Sequence, residues 1–234
     1  MMTKLSTETE FKFAVPDKSA FASLVARLGL PAAVLDEAVL QTNHFFDTRQ
    51  ASLRSNELAI RLREQAGDFY LTIKGGKSSH SDDGVLSSRI EEERLLDAET
   101  AHAMLDGTVS VYEVIAERFR DHASQLVDVI RKITGEQALV YAGKFENRRI
   151  TLPPVSLNND GITQQIEFEL DSIAFPGQAP QYEIEVEVPS SEEASQIHDM
   201  LVTLLSAADI EWSAAESKAR RFFAIIDNTR EMKS

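Results

Sequence analysis

Apolar and polar positions along the chain fall into two rhythms. From Asp17 to Gly29, Phe21, Leu24, Val25 and Leu28 recur at helical spacing, with Asp17 or Ser19 as cap and Gly29 as stop. The pattern returns from about Val109 to Ile133 through Val111, Val114, Ile115, Phe119, Leu126, Val129 and Ile130. Ser191 to Ala208 carries it on Ile197, Met200, Leu201, Leu204 and Leu205, and a last helix is predicted from about Ala214 to Asp227. These stripes read as core-packing faces. Gly75 to Ser88, rich in Gly, Ser and Asp, reads as a mobile loop. No repeat of fixed period and no low-complexity linker divides the chain, so a single domain over residues 1–234 is expected.

The second rhythm has a period of two, the signature of strands. Segment 8–13 puts Glu8, Glu10 and Lys12 on one face, with Thr9, Phe11 and Phe13 on the other. Segment 57–64 puts Arg61 and Arg63 opposite Leu58, Ile60 and Leu62, and 69–75 puts Tyr70, Thr72 and Lys74 opposite Leu71 and Ile73. Segment 89–95 groups Arg89, Glu91 and Glu93. Segment 164–171 sets Glu167, Glu169 and Asp171 against Ile166, Phe168 and Leu170, and 182–188 sets Glu183, Glu185 and Glu187 against Ile184, Val186 and Val188.

Any one of these strands fits a half-exposed sheet with its charges in water. The set does not. Some polar faces are nearly all acid and others nearly all base, and a row of carboxylates is costly unless a cation is shared among them. A sheet closed into a barrel resolves this, with the apolar face outward under the helices and the charged face lining a lumen. Such a lumen holds water, metal ions and a polyanion, because unpaired buried charges cost several kcal/mol each. Acidic rows suit a hard divalent cation, and Arg and Lys suit phosphate.

Composition narrows the partners. The 234 residues carry a formal net charge of −14, which repels nucleic acid and anionic membranes over most of the surface. There is no cysteine, so disulfides and thiolate metal sites are excluded. No signal-type apolar run opens the sequence, and a cytoplasmic protein is expected. The five histidines, His44, His80, His102, His122 and His198, lack metal-ligand spacing and read as surface or partly packed residues. No GxxxxGK[ST] loop is present.

With these faces laid out, Glu8-Thr9-Glu10-Phe11-Lys12 resembles the ExExK signature of the CYTH superfamily, the triphosphate tunnel metalloenzymes. The likeness continues in order through QTNHFFDT (41–48), LAIRLRE (58–64), YLTIKGG (70–76), RIEEE (89–93), ENRRI (146–150), QIEFELD (165–171), YEIEVEV (182–188) and ESKARR (216–221). It is greatest to the bacterial inorganic triphosphatases. The resemblance implies an α+β fold, a closed eight-stranded antiparallel barrel with a charged lumen and helices outside. It implies Mg²⁺- or Mn²⁺-dependent hydrolysis of a triphosphate.

Carried over residue by residue, Glu8, Glu10, Glu183 and Glu185 would bind metal. Lys12, Arg61, Arg63, Lys74, Arg148 and Lys218 would hold the phosphates, with Arg89 and Arg221 beside them, and Asp171 would orient metal or water. Glu91, Glu93, Glu167 and Glu187 share the phase. Arg148 is preferred to Arg149 by motif alignment. A second ion or a tunnel carboxylate would activate the attacking water. Some relatives carry a His-containing helical domain after the tunnel, and none is expected within these 234 residues.

The expected partner is a small triphosphate, tripolyphosphate first, bound by a monomer or homodimer. The alternatives are thiamine or nucleoside triphosphate as substrate, class IV adenylate cyclase chemistry, or a non-catalytic polyphosphate-binding module.

Overall fold

The computed structural model describes residues 5–80, 83–121, 123–135, 137–159, 162–188 and 191–231. The strands are β1 (Thr7–Val15), β2 (Val39–Asp47), β3 (Ala59–Gln65), β4 (Asp68–His80), β5 (Leu86–Leu96), β6 (Val140–Thr151), β7 (Val155–Asn159), β8 (Ile162–Ile166), β9 (Glu169–Ala174), β10 (Gln181–Glu187) and β11 (Ser213–Ala214). The helices are α1 (Ser19–Arg27), α2 (Ala98–Asp106), α3 (Val111–Arg118), α4 (Ser124–Thr134), α5 (Ser191–Ala207) and α6 (Lys218–Glu231).

Eight strands run in the order β10-β9-β6-β2-β3-β4-β5-β1, and β1 pairs back onto β10, which closes the barrel. Every pairing in it is antiparallel. Local chemistry sets the sharpest turn. β3 and β4 are joined by Ala66 and Gly67, both at positive φ (52° and 90°) between the paired Gln65 and Asp68. Left-handed turns of that kind match the twist of a two-residue hairpin. β7 and β8 form a separate hairpin, and β11 adds two residues to β1.

The apolar faces point outward, as the barrel reading requires. Phe11 and Phe13 of β1, with Ile184 and Val186 of β10, pack under Phe21 and Leu24 of α1 and Ile197, Leu201 and Leu205 of α5. Ile60 and Leu62 of β3, with Leu71 and Ile73 of β4, pack under α2, α3 and α4 through Met104, Ile115, Leu126 and Ile130. Each large side chain withdrawn from water stabilises the fold by about 1.5–3 kcal/mol. These two helical layers make an outward apolar face affordable.

Four readings of the periodicity change. The 109–133 segment is two helices, broken where the Asp121 carboxylate accepts the Ala123 N–H and turns the chain. Most of 75–88 is strand: β4 and β5 extend past a register shift and pair Ser79 with Ser88 and His80 with Ser87. A small polar residue accepts the extended conformation when a partner strand offers its hydrogen bonds. Segment 164–171 is broken after Ile166, and Phe168 bonds Leu152 from outside the regular pairing. The last helix begins four residues later than expected, at Lys218.

α2 was not among the expected helices. Asp97 caps it by accepting the Thr100 N–H at 2.8 Å. His44 is buried, 8% exposed, with its Nδ1 3.2 Å from the Tyr141 hydroxyl, rather than at the surface or partly packed. His122 and the His80 side chain lie outside the described residues.

Candidate functional site

Alternate residues of the closed strands face the lumen. β1 contributes Glu8, Glu10 and Lys12, β2 contributes Gln41, Asn43 and Phe45, and β3 contributes Arg61 and Arg63. Lys74 comes from β4, Arg89 and Glu91 from β5, Phe145, Asn147 and Arg149 from β6, and Glu185 from β10. All line one cavity of about 90 Å³, together with Lys218 at the start of α6.

Exposure falls steadily along each acidic row. On β10 it passes from exposed Glu187 through Glu185 at 4% to Glu183 at 0%. The Glu8 side chain is 23% exposed and that of Glu10 is 8%. The lumen therefore opens at the Glu8 end of β1. At the other end Phe45, Phe145, Ile173, Phe175, Phe222 and Phe223 form an aromatic floor to which α6 contributes two rings. Phe222 packs so closely on β6 that a side chain at Gly143 (φ +131°) would meet its ring at 3.0 Å.

Within the lumen each cation is held by carboxylates. Near the mouth, Lys74 bonds Glu8 at 2.7 Å and also Glu91, while Arg61 lies 3.3 Å from Glu91 and Arg63 3.1 Å from Glu93. Half-way down, the Glu10 carboxylate takes Lys12 at 2.7 Å and Arg89 at 3.1 Å. Deepest, Arg149 bonds Asp171 (2.5 Å), Glu185 (2.6 Å) and Glu169. Lys218 lies 2.8 Å from Asp171, 2.8 Å from Glu183 and 2.7 Å from Glu185, and Arg221 bonds Glu183 and Gln181. Asn147 donates to Asp171 at 2.8 Å and to Gln41 at 3.2 Å.

Two electrostatic regimes follow. In the deep end burial opposes ionisation, but Lys218, Lys12 and Arg149 hold the Glu185 carboxyl well below its ordinary range. Against the same burial, Arg149 and Lys218 lower Asp171. Burial likewise opposes the charge on Glu91, and Lys74 and Arg61 bring it down to about 2. The mouth differs. Glu187 sits opposite Glu10 in the β1–β10 register. Burial, then Glu8, Glu10 and Glu91, push its carboxyl upward. In the deep layer beside Arg149, burial raises Glu169 to about 6 despite that cation.

The lumen thus gathers Glu8, Glu10, Lys12, Arg61, Arg63, Lys74, Arg89, Asp171, Glu183, Glu185, Lys218 and Arg221, with Glu91, Glu93 and Glu187. Two expected residues are not part of it. Arg148 is exposed on the barrel exterior, and Arg149 takes its place, because Phe145, Asn147 and Arg149 share the inward phase of β6. Glu167 is exposed between β8 and β9, outside any strand. Sequence reasoning also missed Gln41 and Asn43, although alternation within QTNHFFDT places both on one face with Phe45.

Asp171, Glu183 and Glu185 each place a carboxylate oxygen within 4.8 Å of the others, so this buried cluster could hold a metal ion. Its space is shared with the Lys218 ammonium, which already balances it together with Arg149 and Arg221. Of the rim carboxylates, Glu187 is the one that burial and the neighbouring Glu8, Glu10 and Glu91 push upward.

Residues 6–223 match the CYTH domain family. The chain belongs to that family. Among solved structures, this CYTH chain is similar to a putative adenylyl cyclase from Hippeastrum with a dominant triphosphatase activity. The identity is 25% and the TM-score 0.71, covering 93% of this chain and 95% of that one. It also resembles a putative adenylate cyclase from Bacillus halodurans (22%, TM-score 0.58, 93% and 98% covered) and one from Vibrio parahaemolyticus (14%, TM-score 0.52, 93% and 98%). The latter two speak for the fold alone. No curated protein matches the sequence. Among the described residues of this CYTH domain, no helix is long and apolar enough to cross a membrane.

Proposed function

We propose that this CYTH domain is a metal-dependent triphosphatase that cleaves inorganic tripolyphosphate to pyrophosphate and phosphate. The observation that carries this reading is the convergence of Lys12, Arg61, Arg63, Lys74, Arg89, Arg149 and Lys218 on one small cavity beneath an acidic rim. Each cation is already desolvated and aimed inward by a carboxylate. A phosphate oxygen can replace that carboxylate with little rearrangement, which is the economy of a preorganised site.

Mg²⁺ or Mn²⁺ fits the oxygen donors of Glu8, Glu10, Glu185 and Glu187, and when bound supplies charge neutralisation at the phosphoryl oxygens. Glu183, assigned to metal by its motif, is better read as the anchor of Lys218 and Arg221. Lys12 would hold a phosphoryl oxygen between Glu10 and Glu185. Arg149 offers a planar fork to the deepest phosphate, while Lys74 and Arg61 hold the outer one. Positioning and electrostatics suffice for a loose phosphoryl-transfer transition state.

A bare polyphosphate is favoured over an organic triphosphate because the lumen rings are committed. Phe45 stacks on Phe145 and on Phe222, Phe145 packs tilted against Phe222, Tyr70 lies under the Arg63 guanidinium at 5.2 Å, and Trp212 packs edge-on to Phe13 on the exterior. The dominant triphosphatase activity of the Hippeastrum relative supports hydrolysis over cyclisation.

The test is phosphate release from tripolyphosphate, ATP, thiamine triphosphate and pyrophosphate with Mg²⁺, Mn²⁺ or EDTA, for wild type and Glu10→Gln. Metal-dependent release from tripolyphosphate, lost in the variant, is expected. Faster release from an organic triphosphate, or cyclic AMP formed from ATP, would overturn the substrate. No turnover at all would leave a polyphosphate-binding module.

A further inference from the structure

α6 is anchored at both ends, by different chemistry. Its inner end is held by Lys218 and Arg221, whose partners are the lumen carboxylates. Its outer end is held by Arg54, which lies in the β2–β3 connection and takes no part in the lumen. The Arg54 guanidinium donates to Asp227 at 2.6 Å and lies 4.9 Å over the Phe223 ring. Phe223 in turn packs edge-on to Phe45 of the floor.

Arg54 is itself immobilised from below. Buried Asp47, 1% exposed, accepts the N–H groups of Thr48 (2.7 Å), Leu53 (2.8 Å) and Arg54 (3.3 Å), and its second oxygen lies 4.0 Å from the Arg54 side chain. The connection is therefore a fixed post on the barrel wall. Asp227 stands nine residues along α6 from Lys218, about 13 Å at 1.5 Å per residue.

The two anchors cannot behave alike once phosphate enters. Lys218 lines the cavity, so when a phosphate takes the place of its carboxylates the inner anchor loosens. The Arg54–Asp227 pair is untouched by that exchange. We infer that Arg54 is a positioning residue. Through Asp227 and Phe223 it keeps α6 seated while Lys218 changes partners, and so sets the depth at which Lys218 meets the substrate. The catalytic consequence rests on the triphosphatase reading, whereas the seating of α6 does not.

Asp227→Asn is the sharper variant, because the Asp227 side chain is 45% exposed and its loss cannot unfold the core. Arg54→Ala is the second variant, and Asp227→Glu keeps the charge as the control. Hydrogen exchange of the α6 amides is read without ligand, and again with inorganic tripolyphosphate at a concentration shown by calorimetry to saturate.

In Asp227→Asn, exchange should rise about three- to fivefold without ligand, in keeping with a pair worth up to about 1 kcal/mol. It should rise further with tripolyphosphate, while wild type and Asp227→Glu stay protected. kcat should fall in Asp227→Asn and Arg54→Ala and recover in Asp227→Glu. Unchanged α6 exchange in both disrupting variants would overturn the proposal, as would an Asp227→Glu variant as loose as Asp227→Asn. If wild type bound no tripolyphosphate, the triphosphatase reading would fail and the ligand-free comparison would still decide the seating of α6.

Discussion

Replacing Lys218 by methionine removes one charge and keeps most of the buried stem. The lost ammonium lies within 2.8 Å of three carboxylates, Asp171, Glu183 and Glu185, whose side chains are 0%, 0% and 5% exposed. Removing one partner from a buried pair costs about 3–5 kcal/mol, chiefly the penalty of the charge left behind. At about 2–4 °C per kcal/mol for a chain of this size, the midpoint of thermal unfolding should fall by about 6–20 °C.

The loss should depend on pH in a defined sense. In the wild type, Arg149 and Lys218 hold Asp171 below its ordinary range and Glu185 is held well below its own, so both contribute stability that is lost on acidification. Without Lys218 the cluster can take up a proton, its carboxyls titrate higher, and acid relieves the variant. The gap between the two proteins should be full at pH 8 and clearly smaller at pH 5. Mn²⁺ should also stabilise the variant more than the wild type, since the cluster then has space for a cation. Urea unfolding followed by circular dichroism across this pH range reads all three. A gap below about 1 kcal/mol, or one that does not change with pH, would refute the balance of charges described for the lumen.

Two further outcomes are expected. Arg149→Ala should lower kcat/KM for tripolyphosphate by about 10²–10³, the usual loss for one preorganised donor, while Arg148→Ala on the exterior should stay within about twofold; equal effects in steady-state assays would reverse the phase assigned to β6. His44 is buried and its imidazole is held below the ordinary range by burial and by Lys144, against Glu64. The unfolded chain therefore takes up the proton first, and stability should decline as pH falls through about 6.5. That decline should be shallower in His44→Gln when urea midpoints are compared from pH 7.5 to 6.

What the sequence could reveal followed from regularity. β1 is an uninterrupted strand, so counting by two places Glu8, Glu10 and Lys12 on one side, and the same holds for Arg61 with Arg63 and for Glu183 with Glu185. The count fails where the strand is irregular or the choice is between neighbours. ENRRI offers two adjacent arginines, and the β2–β6 register slips between Phe45 and Phe46 upstream of them. Glu167 shares a parity with Asp171 in the sequence, but the strand that would transmit it is broken after Ile166. The aromatic floor was invisible for another reason. Nothing in the sequence sets Phe45, Phe145 and Phe222 apart from other phenylalanines, and periodicity says that a helix has an apolar face without saying which surface receives it. α2 escaped because only Ala101 and Met104 of its residues are buried, too thin a stripe to read behind the Asp97 cap.

Closure of the barrel also fixes when the site can exist. The seam joins the first strand to the tenth, with Glu10 opposite Glu187, and α6 follows only after that. A chain emerging from the ribosome holds most of its acids and bases long before it has anywhere to put them. Until β10 arrives, β1 and β9 are unpaired edges, open to other chains. Until α6 arrives, the deep carboxylates have no Lys218. Contacts so distant in sequence form slowly. The charged lumen is the last part of the molecule to be finished, and a C-terminal truncation that spared every motif before residue 181 would leave a sheet with no inside.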